Sequence, residues 1–111
     1  MTLVGAGGIR FVKYSATKRF QKEYRKLDGK LQEIADQKIE DLLSNPFPPG
    51  LAFEKLKGYS NPDIYSVHVT GNYKISIECV EIDIEVDGES KKGMMAKLRR
   101  IGTHNEIDRL P

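Results

Sequence analysis

The sequence predicts an α+β domain in which two N-terminal helices, joined as a hairpin, cover one face of a twisted antiparallel β-sheet, in the order β-α-α-β-β-β. Three observations lead there. Apolar residues recur with helical spacing from Phe20 to Leu43, they alternate with polar residues from Ile64 onward, and Gly, Pro and Asn mark the boundaries. At 111 residues the chain suits one core that buries roughly two-thirds of its unfolded surface. Residues 1–8, with three glycines, read as a flexible leader, which leaves residues 9–111 as a single domain.

The first element is a strand over Ile9 to Ser15, rich in β-branched and aromatic side chains. Ser15 is placed to cap the helix that follows. There Phe20, Tyr24 and Leu27 form an apolar stripe opposite Lys18, Arg19, Lys22, Arg25 and Lys26. Asp28-Gly29 breaks this helix, Gly29 as its stop and Asp28 as a cap for the next. The second helix carries Leu31, Ile34, Ala35, Ile39, Leu42 and Leu43 at helical spacing and ends at Ser44-Asn45-Pro46. Phe47 to Gly58 is a connection stiffened by Pro48 and Pro49 and pinned by Leu51, Phe53 and Leu56.

A hairpin follows over Ile64 to Ile77, with Gly71 and Asn72 expected to take positive φ in its turn. Tyr65, Val67, Val69, Tyr73, Ile75 and Ile77 face one way, and Ser66, His68, Thr70, Lys74, Ser76 and Glu78 the other, open, face. The second strand runs on to Val86, but its apolar parity changes from odd to even, which predicts a bulge or sharp twist near Cys79-Val80. Asp87-Gly88 is a turn, Met94 to Ile101 is the last strand, and the end is a loop with one helical turn.

Composition narrows the setting. One cysteine, Cys79, in an apolar run reads as a buried thiol of a reducing, cytoplasmic protein. No apolar run reaches the ~20 residues of a membrane span. The formal charge of +2 is small, but charge is segregated: Arg10 to Lys30 holds eight bases against Glu23 and Asp28, and Glu78 to Glu89 holds six acids and no base.

The chain has two histidines, His68 on the polar face of the hairpin and His104 just past the last strand. If that strand lies beside Tyr73 to Cys79, both imidazoles reach the same face. No ligand spacing supports a metal site, since one Cys and two distant His make a poor set. The glycines of residues 5–8 precede a strand and so do not form a phosphate loop, and the inward parity of Cys79 argues against a thiolate nucleophile. What remains is cofactor-free acid–base work on an anionic substrate. Imidazoles can exchange a proton near neutrality, Glu54 offers another base, and Lys55, Lys57, Lys74, Arg99 and Arg100 can hold phosphates. RNA cleavage by 2′-OH attack needs only these parts. The same residues also fit a plainer reading, with Glu54, Lys55 and Lys57 solvating a loop and Lys74 pairing with Glu78.

Four landmarks in order, the helical hairpin ending in Asn45-Pro46, Leu56-Lys57-Gly58, YSVHVTGNYKI and LRRIGTHNEI, resemble the RelE/ParE superfamily of bacterial type II toxins. The nearest branch is that of the YafQ-like and HigB-like mRNA endonucleases. The resemblance implies a RelE-like fold and a toxin that cleaves mRNA on the 70S ribosome and is held by a cognate antitoxin. It places His68 and His104 as acid–base residues with Glu54 as a further one; Asn72 and Ser66 are candidates to support them. The chain departs from that pattern where relatives carry Asp and it has Asn72, which cannot exchange a proton. It departs again where they carry an aromatic residue and it has Asp108. A ParE-like inhibitor of DNA gyrase and a non-toxic RNA-binding relative are the alternatives on the same fold.

Overall fold

The computed structural model describes residues 10–44, 46–59 and 62–111. The leader, the first residue of the expected opening strand (Ile9) and Asn45 of the expected helix stop lie outside the described residues. The elements are β1 (Phe11–Ala16), α1 (Lys18–Arg25), α2 (Gly29–Leu42), β2 (Glu54–Lys55), β3 (Ile64–His68), β4 (Tyr73–Val86), β5 (Glu89–Thr103) and α3 (His104–Arg109). The architecture is α+β, a five-stranded sheet with three helices. Its element order departs from β-α-α-β-β-β by the short β2 and by α3. Its sheet, ordered β1-β5-β4-β3-β2, is mixed and not antiparallel throughout, because β1 runs parallel to β5. Hairpins force antiparallel neighbours, whereas β1 meets β5 only through the sheet and is free of that constraint.

Local chemistry explains the helix boundaries. Ser15 remains in the β1–β5 ladder opposite Lys97, so the cap of α1 falls to Thr17. The Thr17 hydroxyl accepts the Phe20 N–H at 3.0 Å and donates to the Arg99 carbonyl at 2.8 Å. Asp28 caps α2 as expected, accepting the Leu31 N–H at 2.8 Å, while Gly29 opens α2 and does not stop α1. Phe20 from α1 and Ala35, Ile39 and Leu42 from α2 share one core with Val67, Ile75, Ile77, Ala96, Leu98 and Ile101 of the sheet. Phe53 stacks on Tyr65 at 4.9 Å and meets Phe47 and Phe11, which anchors the connection after α2.

The long β4–β5 hairpin turns through Asp87 (φ 52°) and Gly88 (φ 79°), as the Asp-Gly pair predicts. The β3–β4 turn differs from expectation. Neither Gly71 nor Asn72 has positive φ; instead the Thr70 hydroxyl accepts the N–H groups of Asn72 (3.2 Å) and Tyr73 (3.3 Å). The irregularity expected at Cys79-Val80 is also elsewhere. Ser76 pairs with Arg100 and Ile77 with Leu98, so the extra residue is Arg99 on β5, and pairing from Ile77 to Val86 is unbroken. The bulge reverses the parity of β5, which lets Ala96, Leu98 and Ile101 all face the core. Beyond the core the ladder continues as a two-stranded arm, and the apolar residues change face there without a slip.

The second face of the sheet is not open along its length. Ile107 of α3 packs on Leu56 and Ile64, and Ser66, Lys74 and Ser76 of this face are buried. Where β5 runs past β1, Glu23 of α1 covers its edge. Its carboxylate accepts Arg100 Nη2 at 2.6 Å, Arg100 Nε at 3.0 Å and the Ile101 N–H at 3.3 Å. Arg100 is 7% exposed, so removing Glu23 strands a buried guanidinium. We expect Glu23→Ala to cost about 3 kcal/mol in urea unfolding; a loss below about 1 kcal/mol, typical of a surface pair, would contradict this role.

Candidate functional site

The site is built on the register of three strands. β3 sets His68 opposite Lys74 of β4, and β4 sets Lys74 opposite Gly102 of β5. β2 brings Glu54 opposite Ser66, on the same face. At the end of β5, Thr103 begins α3 through a reciprocal capping box. Its hydroxyl accepts the Glu106 N–H at 3.3 Å, and the Glu106 carboxylate accepts the Thr103 N–H at 2.9 Å. A Cβ at Gly102 would lie 3.0 Å from that carboxylate, so glycine leaves the room that the capping box needs. His104 is then the first helical residue, and its N–H donates to the Asn72 carbonyl at 2.9 Å. This bond closes the end of the ladder and turns one imidazole onto the other.

The rings of His68 and His104 lie 4.7 Å apart, edge to face at 85°. The Nε2 of His104 is buried and has no hydrogen-bond partner among the described residues. Burial lowers the pKa of His68, and the positive fields of His104 and Lys74 lower it further against the opposing pull of Glu54 and Asp108. These surroundings favour the neutral form of the His68 imidazole. The carboxyl of Glu106 is held below its usual range by its hydrogen bonds to Thr103.

The remaining expected residues divide into two groups. Glu54, Lys55, Lys57 and Lys74 line one cleft of about 320 Å³ with Leu56, Tyr59 and Asp108, at the lower end of the range for small-ligand sites. Its lining ends at Lys74, the cross-strand neighbour of His68. Lys74 is 6% exposed and pairs with Asp108 at 2.9 Å, not with Glu78, while Lys55 pairs with Asp63 at 3.3 Å. Arg99 and Arg100 belong elsewhere. Arg99 pairs with Glu78 at 2.6 Å, and Arg100 is spent on Glu23 and the Leu110 carbonyl. Ser66 is fully buried, its hydroxyl without a partner among the described residues, and Asn72 contributes its backbone carbonyl.

No family of known proteins matches the chain, and neither the curated proteins nor the solved structures yield a match. The geometry alone therefore carries the functional argument. Asp108, absent from the expected site residues, is the addition the structure makes. Cys79 is held out of nucleophilic chemistry, since burial and the nearby Asp63 and Glu78 push its thiol up to about 11. Among the described residues no helix is long and apolar enough to cross a membrane.

Because the folded pKa of His68 lies below its ordinary value of 6.5, protonation favours the unfolded chain. Its contribution to stability is complete above about pH 6.5 and declines as pH falls through the window beneath that value. We expect His68 to titrate below this value in NMR, and His104→Gln to move the midpoint upward. A midpoint unchanged by His104→Gln would show that the two rings do not interact.

Proposed function

We propose that the chain is an RNA endonuclease of RelE-like fold, the toxin of a type II toxin–antitoxin pair, acting in the cytoplasm on mRNA bound to the ribosome. The observation that carries this reading is the pairing of the two imidazoles at 4.7 Å. In the proposed reaction His68 takes the proton of a ribose 2′-OH, and the resulting oxyanion attacks the adjacent phosphorus. The bond from phosphorus to the 5′ oxygen breaks, and His104, as the general acid, gives a proton to that leaving oxygen. The products are a 2′,3′-cyclic phosphate and a 5′-hydroxyl. Lys74 lies beside His68 to stabilise the charge that develops on the phosphate. Glu54, on the same face, offsets the cost of protonating the pair.

The exposed face of α1, with Lys18, Arg19, Lys22 and Arg25 around one concavity, suits ribosomal RNA, and such binding weakens steeply with salt. A cognate antitoxin would neutralise the toxin by covering the imidazole pair or the helices.

One observation favours a second reading. Lys55, Lys74, Arg99 and Arg100 all have carboxylate partners within the chain, which fits a binding protein such as a ParE-like gyrase inhibitor better than a phosphate clamp. Adding purified protein to a translating extract and mapping mRNA 5′ ends decides between them. We expect cuts phased with codons, reduced roughly 10²- to 10⁴-fold by either His68→Gln or His104→Gln. In a bacterium induced to make the protein, gyrase-dependent DNA damage that survives both substitutions would support the second reading, and normal growth would leave a non-toxic relative.

A further inference from the structure

We propose that the Lys74 ammonium is an oxyanion site whose resident anion in the free chain is the Asp108 carboxylate, displaced when a phosphate group of the ligand binds. Lys74 is 6% exposed, and a buried ammonium needs an anion in contact. Asp108 supplies it at 2.9 Å, yet its own side chain is 50% exposed. The slot in front of Lys74 thus opens to solvent through the carboxylate that fills it. A phosphodiester also carries a single negative charge, so exchange for Asp108 leaves the ammonium neutralised.

The backbone around Asp108 is held independently of the ion pair. The Tyr59 hydroxyl donates to the carbonyls of Asp108 (2.9 Å) and Arg109 (3.0 Å), and Arg100 Nη1 donates to that of Leu110 (2.9 Å). The capping box of Thr103 and Glu106 fixes the other end of α3. Rotation of the Asp108 side chain can therefore vacate the slot while α3 stays in place. The cleft has three ammoniums, Lys55, Lys57 and Lys74, against two carboxylates, Glu54 and Asp108. Withdrawing Asp108 raises its formal charge from +1 to +2 and makes it a better receptor for an anion. Lys74 is also the cross-strand neighbour of His68, so a phosphate held there lies next to the proton-accepting imidazole.

The proposal rests on the ribonuclease reading only for the natural source of the phosphate. Its test is an NMR titration of the full chain with inorganic phosphate, and separately with an RNA oligonucleotide that is 2′-O-methylated and cannot be cleaved. The signals followed are those of the Lys74 ammonium and the His68 ring. We expect Asp108→Asn to bind both probes roughly five- to tenfold more tightly than the parent chain. Lys74→Gln in the Asp108→Asn background should remove the gain. Should that double variant fail to fold, Lys74→Arg serves, with the gain retained. Binding by Asp108→Asn that is equal to or weaker than the parent's would overturn the proposal and make Asp108 a positioning residue for Lys74. Tighter phosphate binding by Asp108→Asn with no mRNA cleavage by the parent chain in the translating extract would uphold the oxyanion site and reject the ribonuclease. Cleavage without tighter binding would do the reverse.

Discussion

The cross-strand register of β3, β4 and β5 is the constraint on which the site depends. Because side chains alternate with a period of two, a slip of one residue would send His68 and Lys74 to the helix-covered core and bring Val67 and Ile75 out. The register is held by the fully buried Val67, Ile75 and Ile77 on one face and by the Arg99 bulge on β5. That bulge allows one strand to serve two purposes: Ala96 and Leu98 enter the core before it, and Gly102 stands across from Lys74 after it. The last link is chemical. Gly102 leaves space for Glu106, Glu106 and Thr103 form the capping box, and His104 begins a helix directly above His68.

Electrostatics are arranged in local pairs more than in a single basic field. Arg100 is committed to Glu23, Arg99 to Glu78 and Lys74 to Asp108. The first two pairs tie the bulged strand to its neighbours and serve the fold. The third differs, since a buried ammonium meets a half-exposed carboxylate at the mouth of a cleft. The cationic face of α1 lies on the helix layer, and the imidazole pair lies on the other face of the sheet.

Much of this organisation was legible in the residues. Alternation from Ile64 to Ile77 placed His68 and Lys74 on one face, and helical spacing placed the apolar stripes of α1 and α2. Asp28 and Asp87-Gly88 announced a cap and a turn that the structure contains. Other features depend on long-range contacts that no local pattern encodes. Thr17 caps α1 because Ser15 is held in a ladder with a residue far along the chain. Parity located the change of face but not the bulge, because the core ends before Val80 and the face can change without a slip. The parallel pairing of β1 and the burial of Ser66 follow from how the ends of the chain return to the sheet. α3 was signalled locally by Thr103-x-x-Glu106, a capping-box spacing. The Lys74–Asp108 pair joins residues 34 positions apart, beyond the reach of any local signal.

The central claim is that His68 and His104 act as one unit on a proton. A double-mutant cycle on mRNA cleavage tests it most directly, comparing His68→Gln, His104→Gln and the double variant at constant pH and salt. Groups that act together lose nearly everything when the first is removed. The account predicts a double variant about as slow as the slower single variant. Rate losses that multiply, as for independent residues, or variants that cleave at the parent rate would contradict it.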